Sequence, residues 1–435
     1  MKNLPIRLTI CTIPILLLIA IWHIVIFPLS AANTIPTNAA HCIDNTADIY
    51  PCHNVDLLSF MPLTDLGTRQ GSKAANLWGW TDSETGKEYV LLGMTDTLAI
   101  IDITDPLSPV QVGHLPNHTP HNPDKYRDVK VYQNYAFVIA DQFSSHGMQV
   151  FDLTTVRNVT TSTTFTETAY FDGFTNAHNI FINEATGYAY VVRTTDPAGL
   201  NPCQGAVYMV NIQDPLNPTP AGCFAENSGL ASDSMCVIYH GPDVDFQGRE
   251  LCLIASDDNI IVGDVTNKIT PTILADLTYP NIARAHLAWL TEDHRYFVSA
   301  DMNDEMMLGL NTRIFIWDFT QVMTPTLMGI YEGPTAASDH NIWVKDDFAY
   351  IGNFRAGLRI LDLRQISQTT MNQVTVHEAA FFDNYPADNN TGHEGGAWAV
   401  YPYFESGVIA VSDQEAGLYL LRPRLNDFFL PIMVQ

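Results

Sequence analysis

Charge is scarce in this chain. Charged residues make up 16% of the 435 residues, and bases are rarer than acids, 21 Lys and Arg against 47 Asp and Glu. An acidic surface repels phosphate backbones, which argues against nucleic-acid binding and favours divalent cations or basic partners, while also keeping an exposed protein soluble. No Gly-x-Ser-x-Gly elbow and no P-loop occurs, so the commonest hydrolase and nucleotide signatures are missing. No Cys-x-x-Cys occurs either, which argues against a zinc knuckle or a thioredoxin-like site. Beyond the N-terminal segment there is no long helical pattern and no apolar run of membrane-spanning length.

The one long apolar run is LTICTIPILLLIAIWHIVIFPLSAA, preceded by Lys2 and Arg7 and ending in the small residues Ser30, Ala31 and Ala32. Residues 1–32 therefore read as a targeting segment, cut after Ala32 or kept as an N-terminal anchor. In either case the rest of the chain is exported, and membrane contact is expected only through this segment. Its removal takes the formal charge from −26 to −28. Of the seven cysteines, Cys11 lies inside the segment and six follow it: Cys42, Cys52, Cys203, Cys223, Cys236 and Cys252. An even number in an exported chain suggests disulfides. Pairing neighbours, as Cys42–Cys52, Cys203–Cys223 and Cys236–Cys252, closes short loops and is one of several possible connectivities.

What the chain has in abundance is short strands. The segment GLRILDL, ending near Asp362, has relatives in TLAIIDI, GMQVFDL, AVYMVNI, NIIVGDV, RIFIWDF and GLYLLRP. The matching positions Asp102, Asp152, Asn211, Asp264, Asp318, Asp362 and Arg422 are 50, 59, 53, 54, 44 and 60 residues apart. Each unit has an inner strand such as RDVKVYQ, HNIFINE, HLAWLTE or HNIWVKD, a second such as YAFVIAD or FAYIGNF, the recurring third strand, and an outer one. A period of this length built from strands and turns predicts a seven-bladed β-propeller, an all-β fold. The acidic residue after the third strand is expected to accept backbone N–H bonds in the following turn. The last unit supplies only three strands, and NVDLLSFMPL reads as the strand that completes it and closes the ring. The expected organisation is residues 33–53 as a disulfide-linked lead-in, 54–423 as the propeller and 424–435 as a short apolar tail.

These segments, with CHNVDLLS, LAIIDITDP, YRDVKVY, HGMQVFDL, AHNIFIN, CQGAVYMVNIQDP, GRELC, RAHLAWLTED, DHNIWV, AGLRILDL and WAVYPYFESG, resemble the choice-of-anchor B family of exported proteins with LVIVD-type repeats, from about Cys52 to Pro423. The resemblance implies a secreted or surface-attached propeller and implies no reaction. The chain departs from the pattern at Ser232, where His is expected, at Leu287, where Gln is expected, and at DMNDE. The tail LNDFFLPIMVQ carries no sorting signal of that family and reads as a docking strand or a recognition tag.

His178, His286 and His340 hold the same place before three inner strands, so their rings are expected near one mouth of the channel. There they form a possible transition-metal site, with Asp128, Asp233 and Glu394 as neighbours, or they latch adjacent blades. Asp301, Asn303, Asp304 and Glu305 in DMNDE form a possible calcium loop, and Asp243, Asp245 and Glu250 a weaker one. His114, His118 and His121 cluster in a Pro-rich connection. Asn117, Asn158 and Asn389 begin glycosylation sequons. Three functions follow: a non-enzymatic extracellular module binding protein, glycan or surface polymer; a metal-dependent enzyme with a His-lined channel; and a component of a surface assembly.

Overall fold

The computed structural model describes residues 38–67, 69–119, 126–141, 145–204, 207–225, 229–366 and 376–425. The targeting segment, His121 and the tail beyond residue 425 lie outside them. Seven sheets, antiparallel except where Thr163–Thr164 runs parallel to Val110–Pro116 at the edge of the first, succeed one another along the chain as the blades of a β-propeller. Their inner strands are Ala74–Thr81, Tyr126–Tyr132, Ile180–Asn183, Ala231–Ile238, Ala285–Leu290, Ile342–Lys345 and Ala397–Tyr401.

Blade 6 shows why the repeat folds as it does. Ile342–Lys345 pairs with Phe348–Gly352 through a two-residue turn in which Asp346 and Asp347 have φ of 49° and 61°. That left-handed pair fits the twist of the two strands and suits Asp better than most residues. Gly357 opens the third strand at φ 75°, where a Cβ would lie 2.1 Å from the Phe382 carbonyl oxygen. The third strand, Leu358–Asp362, then pairs with His377–Phe382. Asp362 accepts the Arg364 N–H at 3.0 Å, the expected turn bond. Asp102, Asp152, Asn211, Asp264 and Asp318 each make the same bond to the residue two positions on.

Second strands such as Glu88–Met94 and Glu250–Ser256 are buried at every residue. Each blade is covered by a neighbour on both faces, so alternation between apolar and polar residues is weak there. Outer strands such as Thr272–Leu277 have no fully buried residue and end the core. The ring closes as expected: Val55–Pro62 lies antiparallel to Gly417–Pro423 and completes the seventh blade. The lead-in does more than precede the ring. Tyr50–His53 pairs with the outer strand of blade 6, Cys52 opposite Phe382, and Thr46–Ala47 pairs with Tyr50–His53 in turn. All three disulfides join neighbouring cysteines, Cys42–Cys52, Cys203–Cys223 and Cys236–Cys252. They point to an oxidising setting outside the cytoplasm. Among the described residues, no helix is long and apolar enough to cross a membrane.

Candidate functional site

The inner strands bring two columns of side chains to the channel. The first is Asn76, Asp128, Asn179, Asp233 and Asn341, all buried. In blades 1, 4, 5 and 7 the inner strand shifts register near its start, which re-aims residues such as Asn76, Asp233 and Trp398. These side chains meet across the waist of the channel. Asn341 and the Trp398 indole both donate to Asn76 Oδ1 at 3.1 Å, Asn76 donates to Asn179 at 3.4 Å, and Asn179 donates to Asp233 at 2.6 Å. Asp128 is held by Lys130 at 2.8 Å and by the Ile180 N–H at 3.0 Å. Burial pushes Asp233 up to about 7, with Lys130 opposing. A waist of this kind is a connected polar network that fixes blade positions, with the Asn341 Oδ1 left without a partner among the described residues.

Two residues further along each inner strand lies the second column: Trp78, Lys130, Phe181, Met235, Trp289 and Trp343. It opens at the C-terminal ends of the strands into a cavity of about 600 Å³ lined by Trp78, Trp80, Phe181, Trp289, Tyr401 and Tyr403. Trp289 meets Trp343 edge-on at 4.5 Å, and Trp78 meets Tyr401 at 5.0 Å. Glu184 and Glu292, both exposed, line the same cavity. Sequence reasoning missed this mouth. Its signal was the period-two step from the Asn/Asp position to an aromatic one, in Asn76-x-Trp78, Asn179-x-Phe181 and Asn341-x-Trp343.

The histidines stand at the opposite mouth. His286 and His340 stack with centroids 4.3 Å apart. The His340 Nδ1 bonds the Trp398 carbonyl at 2.7 Å, so His340 does latch blade 6 to blade 7. His178 bonds Asp141 at 2.7 Å and so ties blade 3 to blade 2, while both nitrogens of the buried His286 lack a partner among the described residues. Burial depresses His340 to about 3 and holds His286 well below its ordinary value. A cavity of about 200 Å³ at this mouth is lined by His178, His340 and His393, not by His286. Among the described residues, no three His, Cys, Asp or Glu side chains form a group arranged to hold a metal ion.

Of the DMNDE carboxylates, Asp301 is taken up by protein donors, whereas Asp304 and Glu305 each keep one buried oxygen without a partner among the described residues. Asp301 accepts from the Tyr279 hydroxyl and from the N–H groups of Ala283, Arg284 and Asn303 at 2.7–3.2 Å. Asp304 is bound by Arg313 at 2.7 Å, Glu305 accepts weakly from the Asp339 N–H at 3.4 Å, and Asn303 precedes the short helix Asp304–Leu308. Asp243 and Glu250 part company. Asp243 accepts from the Val322 N–H, whereas Glu250 is buried against Asn183, Tyr190 and Lys268. His118 stacks on Tyr170 at 3.7 Å and bonds Glu167, while His114 bonds Thr164.

The LVIVD repeat profile matches residues 337–372, the heart of blade 6. None of the curated proteins matches the chain. Among solved structures, the crystal structure of the computationally designed Ika8 protein aligns with a TM-score of 0.47 and 9% identity, over 80% of this chain and 82% of that one.

Proposed function

We propose that this chain is a non-enzymatic, exported binding propeller of the choice-of-anchor B type, and that it takes its ligand at the aromatic mouth. The observation that carries this reading is the cavity of about 600 Å³ that Trp78, Trp289, Tyr401 and Tyr403 line together with two exposed carboxylates, Glu184 and Glu292. Binding pockets combine such apolar walls with a few convergent polar groups. Flat rings beside hydrogen-bond acceptors suit a sugar, whose C–H face stacks while its hydroxyls donate to Glu184 and Glu292. A glycan of the extracellular surroundings is therefore the ligand class proposed, ahead of a protein side chain.

Tryptophan fluorescence titrated with a panel of neutral oligosaccharides tests it. At least one oligosaccharide should perturb the emission, and Trp78→Ala should weaken binding about tenfold, the loss of roughly 1.4 kcal/mol of stacking. Trp78 is only half-buried, so the variant should fold. A panel without effect, together with capture of a protein that Trp78→Ala releases, would move the ligand class from glycan to protein.

A further inference from the structure

We propose that the smaller cavity, at the opposite mouth, is a separate binding site for a small hydroxyl-bearing oxyanion, a hydroxycarboxylate or a phosphate. Its lining concentrates what the chain lacks. In a protein with 47 acids and 21 bases, Arg193, Arg284, His178, His340 and His393 surround one space of about 200 Å³, with Asp141 as the one carboxylate in the wall. At about 30 Å³ for each water-sized group, that space takes roughly six non-hydrogen atoms, the size of a phosphate or a short hydroxy acid.

The arginines are held but not used up. Arg284 engages through Nε alone, with Ser232 at 3.4 Å and Asp257 at 3.3 Å, so both terminal nitrogens remain without a partner among the described residues. Arg193 shares the same two acceptors and gives its Nε to the Ala231 carbonyl at 3.0 Å. One carboxylate thus serves two guanidinium groups. Burial, and then the neighbouring Arg193, depress Arg284. Arg193 also sits at φ 52°, a left-handed conformation that a residue of its size adopts only when its surroundings impose it. A guanidinium pair fixed side by side is the usual partner of a planar or tetrahedral oxyanion.

The histidines supply the other half of recognition. His178 bonds Asp141, His340 bonds the Trp398 carbonyl at 2.7 Å, and His393 bonds the Met302 carbonyl at 2.9 Å. In each case an acceptor fixes the protonated nitrogen and leaves a lone pair on the other. Those lone pairs accept a hydrogen from a ligand hydroxyl or from monoprotonated phosphate, which a bare halide cannot offer. Ser232 belongs here too, because its hydroxyl receives both arginines in place of the His expected from the repeat.

Calorimetric titration of the chain with inorganic phosphate and, separately, with glycolate tests the site. At least one should bind with about one equivalent, chloride should not compete at equal concentration, and the probe that binds identifies the oxyanion. Arg284→Gln should weaken binding at least about tenfold with an unchanged circular dichroism spectrum. Should that variant unfold, His393→Gln serves instead, with a loss of roughly threefold or more. Trp78→Ala should leave this binding intact, which separates the site from the aromatic mouth. Failure of both probes to bind, or equal binding by Arg284→Gln and wild type, would overturn the proposal. Zinc binding that needs the histidines but not Arg284 would also overturn it, in favour of a cation site.

Discussion

A chain shortened to begin at Leu63 is expected to lose its cooperative fold. The missing strand, Val55–Pro62, is the outer strand of blade 7 and pairs along its length with Gly417–Pro423. It buries Val55, Leu57, Leu58 and Phe60. Four such side chains contribute about 1.5–3 kcal/mol each, roughly 6–12 kcal/mol together, against a whole-domain stability of about 5–15 kcal/mol. The truncation also exposes the edge of Gly417–Pro423, a template for aggregation. The full variant should therefore be insoluble or lack a sharp thermal transition. Phe60→Ala is the graded test, because Phe60 packs on Tyr419 with centroids 4.5 Å apart. It should lower stability by about 3–5 kcal/mol while leaving the strand in place. A truncated chain melting within a few degrees of the intact one would show that blade 7 does not depend on this strand.

That closure was legible because it rests on one strand pattern standing outside the count. The blades were legible for the same reason, since a repeat imposes its period on backbone and core together. The turn aspartates could be assigned from a single unit because their bonds are local, as at Asp362 and Arg364. The lead-in was harder. Thr46–Ala47 and Tyr50–His53 are too short for a strand signal, and their place on blade 6 depends on pairing with residues more than 300 positions away, as between Cys52 and Phe382. The shared place of the histidines before their strands is visible in the repeat, but their neighbours at the mouth are not. His393 comes from a connecting loop, Arg193 follows the second strand of blade 3 and Arg284 precedes the inner strand of blade 5, so nothing in the local pattern links them. Which of two similar histidines faces a cavity was likewise hidden. His286 is buried under His340, whereas His178 and His340 line the space.

The buried carboxylates of blade 5 carry the last expectation: stability should fall as the pH rises from 7 to 9. Asp301, Asp304, Glu305 and Asp339 are almost wholly buried; among the described residues Arg313 is the one base whose side chain bonds them, and neither oxygen of Asp339 has a partner. Asp304, Glu305 and Asp339 crowd together there, and burial of like charges disfavours their joint ionisation. Burial raises Glu305, and Asp304 beside it adds to the shift; burial and then Glu305 raise Asp339 well above the carboxylate range. Raised acids stabilise the fold below their unfolded values and lose that contribution as the pH climbs through the folded ones. On the acid side the buried histidines oppose this trend. Burial lowers His146 to about 3 and His294 to about 4, so their contribution is lost as the pH falls below about 6.5. Above pH 7 these imidazoles are neutral in both states, and below pH 9 unfolded tyrosines stay protonated. The carboxylates are then left to set the slope, about 1.4 kcal/mol per pH unit for each proton retained by the native state. Thermal unfolding across that range should show a loss of several degrees. Glu305→Gln, which keeps the shape and removes the charge, should flatten the slope and make the protein more stable than wild type at pH 9. A wild-type melting temperature that holds level to pH 9, or a variant with the same slope, would mean that the cluster is already compensated by a bound cation.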